Sequence, residues 1–290
     1  MTAPDPPAFL SLDARVEAPA LDPDTLDALR ARWGHGDGAG TRRLILTPGS
    51  PPPRPPGTPQ PVAVSDQTVE VSAHGDELWL GDHLHLRVAA GGAQVTAGPG
   101  PVPEAAWVLA FVEAHRAGGW LPLHAALLAN GGRAVAVAGV SGAGKSTAAL
   151  RLWGLGYGLL AEDHAWVEPQ GGRVVGLDTH LRAHEDSVAR FAPHLLGRAQ
   201  GRDAHGKLRL PLLRPGGQGM LGALLVLGLP GRPSAAEGVR ALWEVTGVPL
   251  TATGRRMAAR GVETLLRRVE VRGVTRETVV DAVREVLGGK

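Results

Sequence analysis

Cysteine is absent from all 290 residues of the chain. Without thiols the protein can form no disulfide, no iron–sulfur cluster and no Cys-ligated zinc site, and thiol catalysis is excluded. Long apolar runs are also missing, since the longest, residues 220–229, is about half of the roughly 20 residues that a membrane helix needs. The first ten residues contain no basic residue before an apolar run, so no secretory signal is expected. These absences predict a cytoplasmic protein with no membrane partner.

Lysine is scarce, because only Lys145, Lys207 and Lys290 occur among 30 basic residues and the others are arginines. Where lysine persists, its compact ammonium is expected to matter, since a planar guanidinium does not replace it; the last residue, Lys290, is given no role. The net charge is only +2, and the arginines alternate with acids in RGVETLLRRVEVRGVTRETVVDAVRE. This pattern favours a solvated helix face over a nucleic-acid surface.

Composition predicts a globular protein, with 43% hydrophobic and 20% charged residues. Proline occupies 8 of the 14 positions in residues 48–61, which favours an extended linker because proline removes backbone donors. We therefore predict an N-terminal α+β region over residues 1–103, with the linker at 48–61, and a second domain over residues 104–290.

Hydrophobic periodicity and turn residues predict the order of elements. In the first region we expect a helix over residues 22–33, a strand over 43–47 and an antiparallel meander over 62–96. In the second we expect a helix over 104–115, a hairpin through Asn130-Gly131-Gly132, a strand over 159–163, a hairpin at Gly171-Gly172, a strand over 221–227, and helices over 235–246 and 275–287. This alternation favours an α/β core on a parallel sheet.

The strongest motif is GVSGAGKST, residues 139–147, which matches the phosphate-loop pattern G-x-x-x-x-G-K-[ST] between an apolar strand and a helix. Glycines let backbone N–H groups face a phosphate chain, lysine neutralises its oxygens, and a serine hydroxyl can bind Mg²⁺. The alternatives are a structural turn and a nucleophile elbow, but the elbow needs glycine at position 143. The residues expected to bind ATP are Gly139, Ser141, Gly142, Ala143, Gly144, Lys145, Ser146 and Thr147.

An acid pair, Glu162 and Asp163, ends the next apolar strand. At the carboxyl end of a parallel strand, such acids meet a bound nucleotide. Strand alternation predicts that the two carboxylates point to opposite faces, so that one can order Mg²⁺ and the other can accept a proton. A strand end that simply meets solvent is the alternative.

Residues 120–185 resemble the catalytic domain of HPr kinase/phosphorylase in the order of a histidine, the glycine-rich loop, a Gly-Tyr-Gly turn and the acid pair. The resemblance implies a fold related to phosphoenolpyruvate carboxykinase, ATP and Mg²⁺ as cofactors, and phosphorylation of a hydroxyl. It assigns catalysis to His124, Lys145 and Asp163, with Asp163 as the base, and the metal to Ser146 and Glu162. Because relatives assemble, a homo-oligomer is one option that it implies.

The sequence departs from that family in ways that bear on the acceptor. The first acid is glutamate, Ala125 stands where the family has glycine, and no Arg-Gly-Leu-Gly stretch is present. The resemblance therefore implies an acceptor other than HPr, either a serine in a peptide or protein or a small hydroxylated molecule. The alternatives are a nucleotide switch or ATPase that acts on a partner protein, and a non-catalytic basic binding module.

Several other polar residues are candidates outside the main motifs. Lys207 precedes a strand at a glycine turn and is expected to reach a nucleotide phosphate, and Arg182 is a candidate to face the nucleotide or acceptor. His180 and His184 are four residues apart, which would place them on one helix face, but the zincin pattern is absent. His83 and His85 are expected at the surface of a strand.

Overall fold

The computed structural model describes residues 8–36, 40–213, 216–229 and 231–288, and Lys290 lies outside them. The chain forms two compact units, one of Met1–Trp120 with Pro249–Arg260 and one of Leu121–Val248 with Gly261–Lys290. In the described part of the chain, no helix is long and apolar enough to cross a membrane.

The first unit is built on an eight-stranded sheet in the order β1-β2-β3-β8-β7-β6-β5-β4. Its elements are β1 (Ala8–Ser11), β2 (Ala14–Glu17), α1 (Pro23–Trp33), β3 (Arg42–Pro48), β4 (Gln60–Val64), β5 (Gln67–His74), β6 (Glu77–Leu80), β7 (Leu84–Ala89), β8 (Gly92–Ala97) and α2 (Glu104–Ala117). The predicted helix at 22–33 is confirmed, and its Asp22 side chain accepts the backbone N–H groups of Asp24 and Thr25. The antiparallel meander is confirmed as β4 to β8.

One surface prediction for this unit is wrong. His85 is buried, with 7% of its surface exposed, and its ring lies 4.8 Å from that of Trp79. The alternation of β7 breaks here, since Leu84, His85 and Leu86 are all buried, and sequence periodicity gives no sign of a strand covered on both faces.

The second unit carries a seven-stranded sheet and a separate two-stranded sheet. Its strands are β9 (Leu121–Asn130), β10 (Arg133–Gly139), β11 (Gly158–Ala161), β12 (His164–Glu168), β13 (Arg173–Gly176), β14 (His180–Ala183), β15 (Leu208–Pro211), β16 (Gln218–Leu227) and β17 (Glu270–Val274). Its helices are α3 (Lys145–Gly154), α4 (Glu185–Phe191), a 3₁₀ helix (Pro193–Arg198), α5 (Ala235–Thr246) and α7 (Val279–Leu287), while α6 (Ala252–Arg268) contributes to both units.

Five strands of the larger sheet pair in a closed circuit. The hairpin through Asn130-Gly131-Gly132 is confirmed, with β9 antiparallel to β10. Strand β10 also pairs with β16, in parallel, and β16 pairs with β13. Strand β13 forms a hairpin with β12, which confirms the hairpin predicted at Gly171-Gly172. Strand β12 returns to β9 and completes the circuit. The strand that leads into the glycine-rich loop therefore has partners on both edges.

The acid pair lies in a gap between two strands. Strands β11 and β12 pair in succession with the same edge of β9, and the last partners before the gap are Ala161 and Leu127. Pairing resumes at His164 opposite His124. Glu162 and Asp163 form the bend between them, so their backbone groups need other hydrogen-bond partners.

The predicted fold class, an α/β protein with a P-loop core of the HPr kinase and phosphoenolpyruvate carboxykinase type, is contradicted. Of the described residues, strands hold 36% and helices 31%, in mixed sheets of eight and seven strands. The acid pair was expected at the end of a parallel strand, but β11 pairs antiparallel with β9. Apolar runs indicate strands without giving their direction or neighbours, so the pattern could not exclude this arrangement.

Helix α3 fixes the glycine-rich loop to the sheet. Its buried face includes Ala149, Leu152 and Trp153, which belong to one apolar core with residues of β9, β10, β16 and α7. Burying such side chains is worth roughly 1.5–3 kcal/mol for each large one. The loop between β10 and α3 is therefore held at both ends by well-packed elements.

Candidate functional site

A cavity of about 950 Å³ lies in the second unit at the start of α3. Most of the predicted site residues line it: His124, Ser141, Gly142, Gly144, Lys145, Ser146, Thr147, Glu162, Asp163 and Lys207. Gly139 and Ala143 belong to the loop but not to the lining. The structure thus brings together residues that are up to 83 positions apart in the sequence.

The glycine-rich loop, residues 139–147, depends on glycine at the start of α3. Gly144 has φ of 109°, a conformation that L side chains rarely adopt. Lys145 follows at the first helical position, and its Nζ donates to the carbonyl oxygen of Gly139 at 2.9 Å. The ammonium group therefore lies across the loop, beside the N-terminus of α3, where an anion is favoured.

Arg276, which the sequence analysis did not single out, holds the loop from the side of α7. Its Nε donates to the carbonyl of Ala143 at 2.9 Å and its Nη2 to the carbonyl of Gly142 at 2.8 Å. Because the peptide group is planar and trans, fixing these carbonyls also fixes the N–H groups of Ala143 and Gly144. No local motif marks Arg276, since it lies 133 residues from Ala143.

Glu162 connects the loop to the wall of the cavity. Its Oε1 accepts the hydroxyl of Ser146 at 2.9 Å, and its Oε2 accepts the backbone N–H of Arg182 at 3.0 Å. The Arg182 guanidinium lies 3.3 Å from the same oxygen. Burial raises the pKa of Glu162, although Arg182 and the Ser146 hydroxyl oppose that shift.

Asp163 pairs with His124 across the gap in the sheet. Its Oδ1 lies 3.2 Å from Nδ1 of His124, and the two side chains are 23% and 54% exposed. Burial lowers the pKa of His124, and Lys145 and His164 add to that effect, while the Asp163 carboxylate opposes it. The pair faces the cavity that Lys145 also lines.

The prediction that the two acids point to opposite faces is wrong, because both line the same cavity. The strand ends at Ala161, before the pair, so strand alternation does not apply to it.

The carboxylate of Asp178 accepts hydrogen bonds from the backbone N–H groups of this bend. No sequence pattern identified this residue. Its Oδ2 accepts the N–H groups of Glu162, Asp163 and His164 at 2.8, 2.7 and 2.9 Å. Its Oδ1 lies 2.8 Å from Nδ1 of His164. Burial alone would raise the pKa of Asp178, but the His164 ring and the amides outweigh it and lower the pKa to about 2.

Further residues that line the cavity come from β14, α4 and the turn before β15. Lys207 lies here, and its backbone N–H donates to Asp203 Oδ1 at 2.9 Å. His184 lines the wall too, but His180 lies in β14, so the two histidines do not share a helix face. The spacing of four arises from a strand followed by the start of α4 and not from one helical turn.

The cavity offers oxygen ligands that suit Mg²⁺. Within the described residues, no group of three or more histidine, cysteine or carboxylate side chains could hold a metal ion. Ser146 and Glu162 instead place one hydroxyl and one carboxylate oxygen 2.9 Å apart. Mg²⁺ in nucleotide sites uses oxygen ligands, takes one or two from the protein and keeps several waters. The residues present therefore fit it.

No protein-family model matches this chain, and no curated protein matches it.

Proposed function

We propose that this protein is an ATP- and Mg²⁺-dependent kinase that transfers the γ-phosphoryl group to a hydroxyl. One observation carries the proposal: a carboxylate and an imidazole, Asp163 and His124, lie 3.2 Å apart on the cavity that Lys145 lines. Phosphoryl transfer needs a phosphate cradle and a group that accepts the hydroxyl proton. A protein that only binds nucleotide needs the cradle alone.

Each step of the reaction has a residue suited to it. Asp163 accepts the proton as the acceptor oxygen forms its bond to the γ-phosphorus, and the bond from that phosphorus to the β-γ bridging oxygen breaks, releasing ADP. His124 orients the Asp163 carboxylate and can take the proton onward. Lys145 and the amides of the glycine-rich loop neutralise the phosphate oxygens.

Ser146 and Glu162 would hold Mg²⁺, which neutralises charge on the β- and γ-phosphates when it is bound. The burial of Glu162 suits it to a cation, because a nearby positive charge offsets the cost of a buried carboxylate. Lys207, which also lines the cavity, is the further candidate to contact a phosphate. We further propose that the protein works in the cytoplasm, where ATP is supplied.

The test is to replace Asp163 with Asn and to measure transfer and binding separately. Transfer of labelled γ-phosphate to a peptide or metabolite acceptor should fall by at least 100-fold, because the proton acceptor is lost, while ATP affinity stays within about threefold. Glu277→Gln is the matched control, since it removes a carboxylate from the same cavity without touching His124. Full transfer by Asp163→Asn would overturn the assignment.

The fate of the label separates the kinase from its main alternative. If wild-type protein releases the γ-phosphate only as free phosphate across peptide and metabolite pools, the site is that of an ATPase or nucleotide switch acting on a partner protein.

A further inference from the structure

We propose that Asp178 is a positioning residue, which holds the bend at residues 162–164 so that both acids face one cavity. The role for Asp163 and Glu162 rests on the proposed function, whereas the positioning itself is a statement about geometry. The observation that carries it is one largely buried carboxylate, 13% exposed, that accepts three consecutive backbone N–H groups.

The bend has a physical problem that Asp178 solves. The ladder to β9 stops at Ala161 and resumes at His164, so the amides of the two acids have no strand partner there. A buried N–H group without a partner costs about 1–3 kcal/mol. Three successive amides that point inward form a concave anion site, and the anion here is a carboxylate of the same chain.

The position of Asp178 follows from the hairpin of β12 and β13. Ala165 is paired with Gly176, and the Leu177 N–H donates to the His164 carbonyl at 3.0 Å. The residue after Leu177 is therefore beside the residues that enter β12, although 15 positions separate Asp178 from Asp163. Asp178 thus closes the open end of the hairpin at the acid pair.

The bend determines where the acids point. In a continuous strand, successive side chains would lie on opposite faces of the sheet. The bend instead lets Glu162 reach Ser146 at 2.9 Å and Asp163 reach His124 at 3.2 Å. Without an acceptor for the three amides, a regular ladder with β9 would have the lower free energy. In that ladder one of the two acids would point away from the cavity.

The first experiment is a crystal structure of the Asp178→Asn variant, which does not depend on activity. The amide oxygen carries no negative charge, so the three N–H groups lose charge-assisted hydrogen bonds, and the amide NH2 faces a ring nitrogen of His164 that must then accept. We expect the Asp163 and His124 side chains to separate beyond contact distance. An unchanged pair would overturn the proposal, even if the protein proves to transfer no phosphate.

The second experiment is kinetic and applies if the wild-type protein transfers phosphate. Asp178→Asn should lower kcat by about 100-fold, the usual cost of a displaced catalytic group, with ATP affinity within about threefold of wild type. If Asp178 acts through the two acids, adding Asp178→Asn to Asp163→Asn should lower the rate by far less than the loss that Asp178→Asn causes alone. Full additivity of the two losses would contradict the proposal.

Two controls separate positioning from general damage. Glu168 also accepts two turn amides, from Gln170 and Gly171, at 2.7 and 2.6 Å, so Glu168→Gln should leave kcat within about twofold. If Asp178→Asn does not fold, His164→Ala replaces it, since it removes the ring that contacts Oδ1. We expect that variant to lose about fivefold in kcat at unchanged ATP affinity, and an unchanged kcat would overturn the proposal.

Discussion

A single guanidinium stabilises the glycine-rich loop. Arg276 donates to two successive carbonyls, of Gly142 and Ala143, and its own carbonyl accepts from Arg151 at 2.7 Å. A loop with several glycines loses much conformational entropy when it orders. Hydrogen bonds from a charged donor offset that loss, so the loop can be ordered before the phosphates bind.

We therefore expect Arg276→Gln to weaken ATP binding by about tenfold, because hydrogen bonds to charged groups are worth about 1.5–3 kcal/mol. Isothermal titration calorimetry with a non-hydrolysable ATP analogue measures the change. The matched control is Arg284→Gln on α7, since Arg284 pairs with Asp281 on an exposed surface and should leave the affinity unchanged. Equal affinities for both variants would contradict this role for Arg276.

The sequence predicted part of the site and missed the rest for a physical reason. Lys145 and Ser146 were predicted from the motif, and they line the cavity with both acids. Motifs record neighbours along the chain, however, and the contacts of Asp178 and Arg276 join residues 15 and 133 positions apart. No periodicity or spacing identifies such partners.

The position of the short strand β13 depends on Gly176, which has no side chain. A Cβ on Gly176 would lie 1.9 Å from the carbonyl oxygen of Leu160. That distance is far inside van der Waals contact, so the backbones of β13 and β11 approach this closely only at glycine. The approach places the open end of the hairpin next to the acid pair.

Gly176→Ala should destabilise the second unit by about 3 kcal/mol, since overpacking against backbone costs about 1–3 kcal/mol or more. Urea unfolding gives the free energy. In the 3₁₀ helix, Gly197 has open space around its Cβ position, so Gly197→Ala is the control and should change stability by less than about 0.5 kcal/mol. A loss for Gly176→Ala no larger than this would show that β13 can move aside.

Elements next to clear turn residues were predictable, whereas α4, α6 and β14 were not predicted, and neither was the pairing of the strands. The hairpins at Asn130-Gly131-Gly132 and Gly171-Gly172 were predicted because turn residues act locally. Strand β17 lies in the segment rich in arginine and acids. It was not predicted, because burial increases along the strand and does not alternate from residue to residue. The closed circuit needed the partners of β9 and β16, which depend on contacts across the whole unit.

For the whole molecule, buried ionisable groups determine the response to acid. His115 is fully buried: its Nε2 lies 2.8 Å from the Ser11 hydroxyl, and Arg42 Nη2 lies 3.3 Å from its Nδ1. Burial, with the charge of Arg42, lowers the pKa of His115 from 6.5 to about 3, against the opposing effect of Asp13. The unfolded chain therefore binds a proton between pH 6.5 and pH 3 that the folded chain does not.

The stability that His115 contributes is thus complete above pH 6.5 and falls as the pH drops toward 3, with a slope of about 1.4 kcal/mol per pH unit. Urea unfolding at a series of pH values measures the slope. His115→Gln should reduce the slope by the equivalent of about one proton. His74→Gln, at an exposed position of β5, should leave the slope unchanged. An unchanged slope for His115→Gln would show that another group takes up the proton.

The hairpin of β12 and β13 begins just after the acid pair and ends just before Asp178. The same hairpin completes the circuit of five strands. If this hairpin detaches from β9 and β16, the second unit loses the closed circuit and the arrangement of the two acids at the same time. The proposed chemistry therefore requires the closed circuit, because the hairpin that completes the circuit also adjoins the bend at the acid pair.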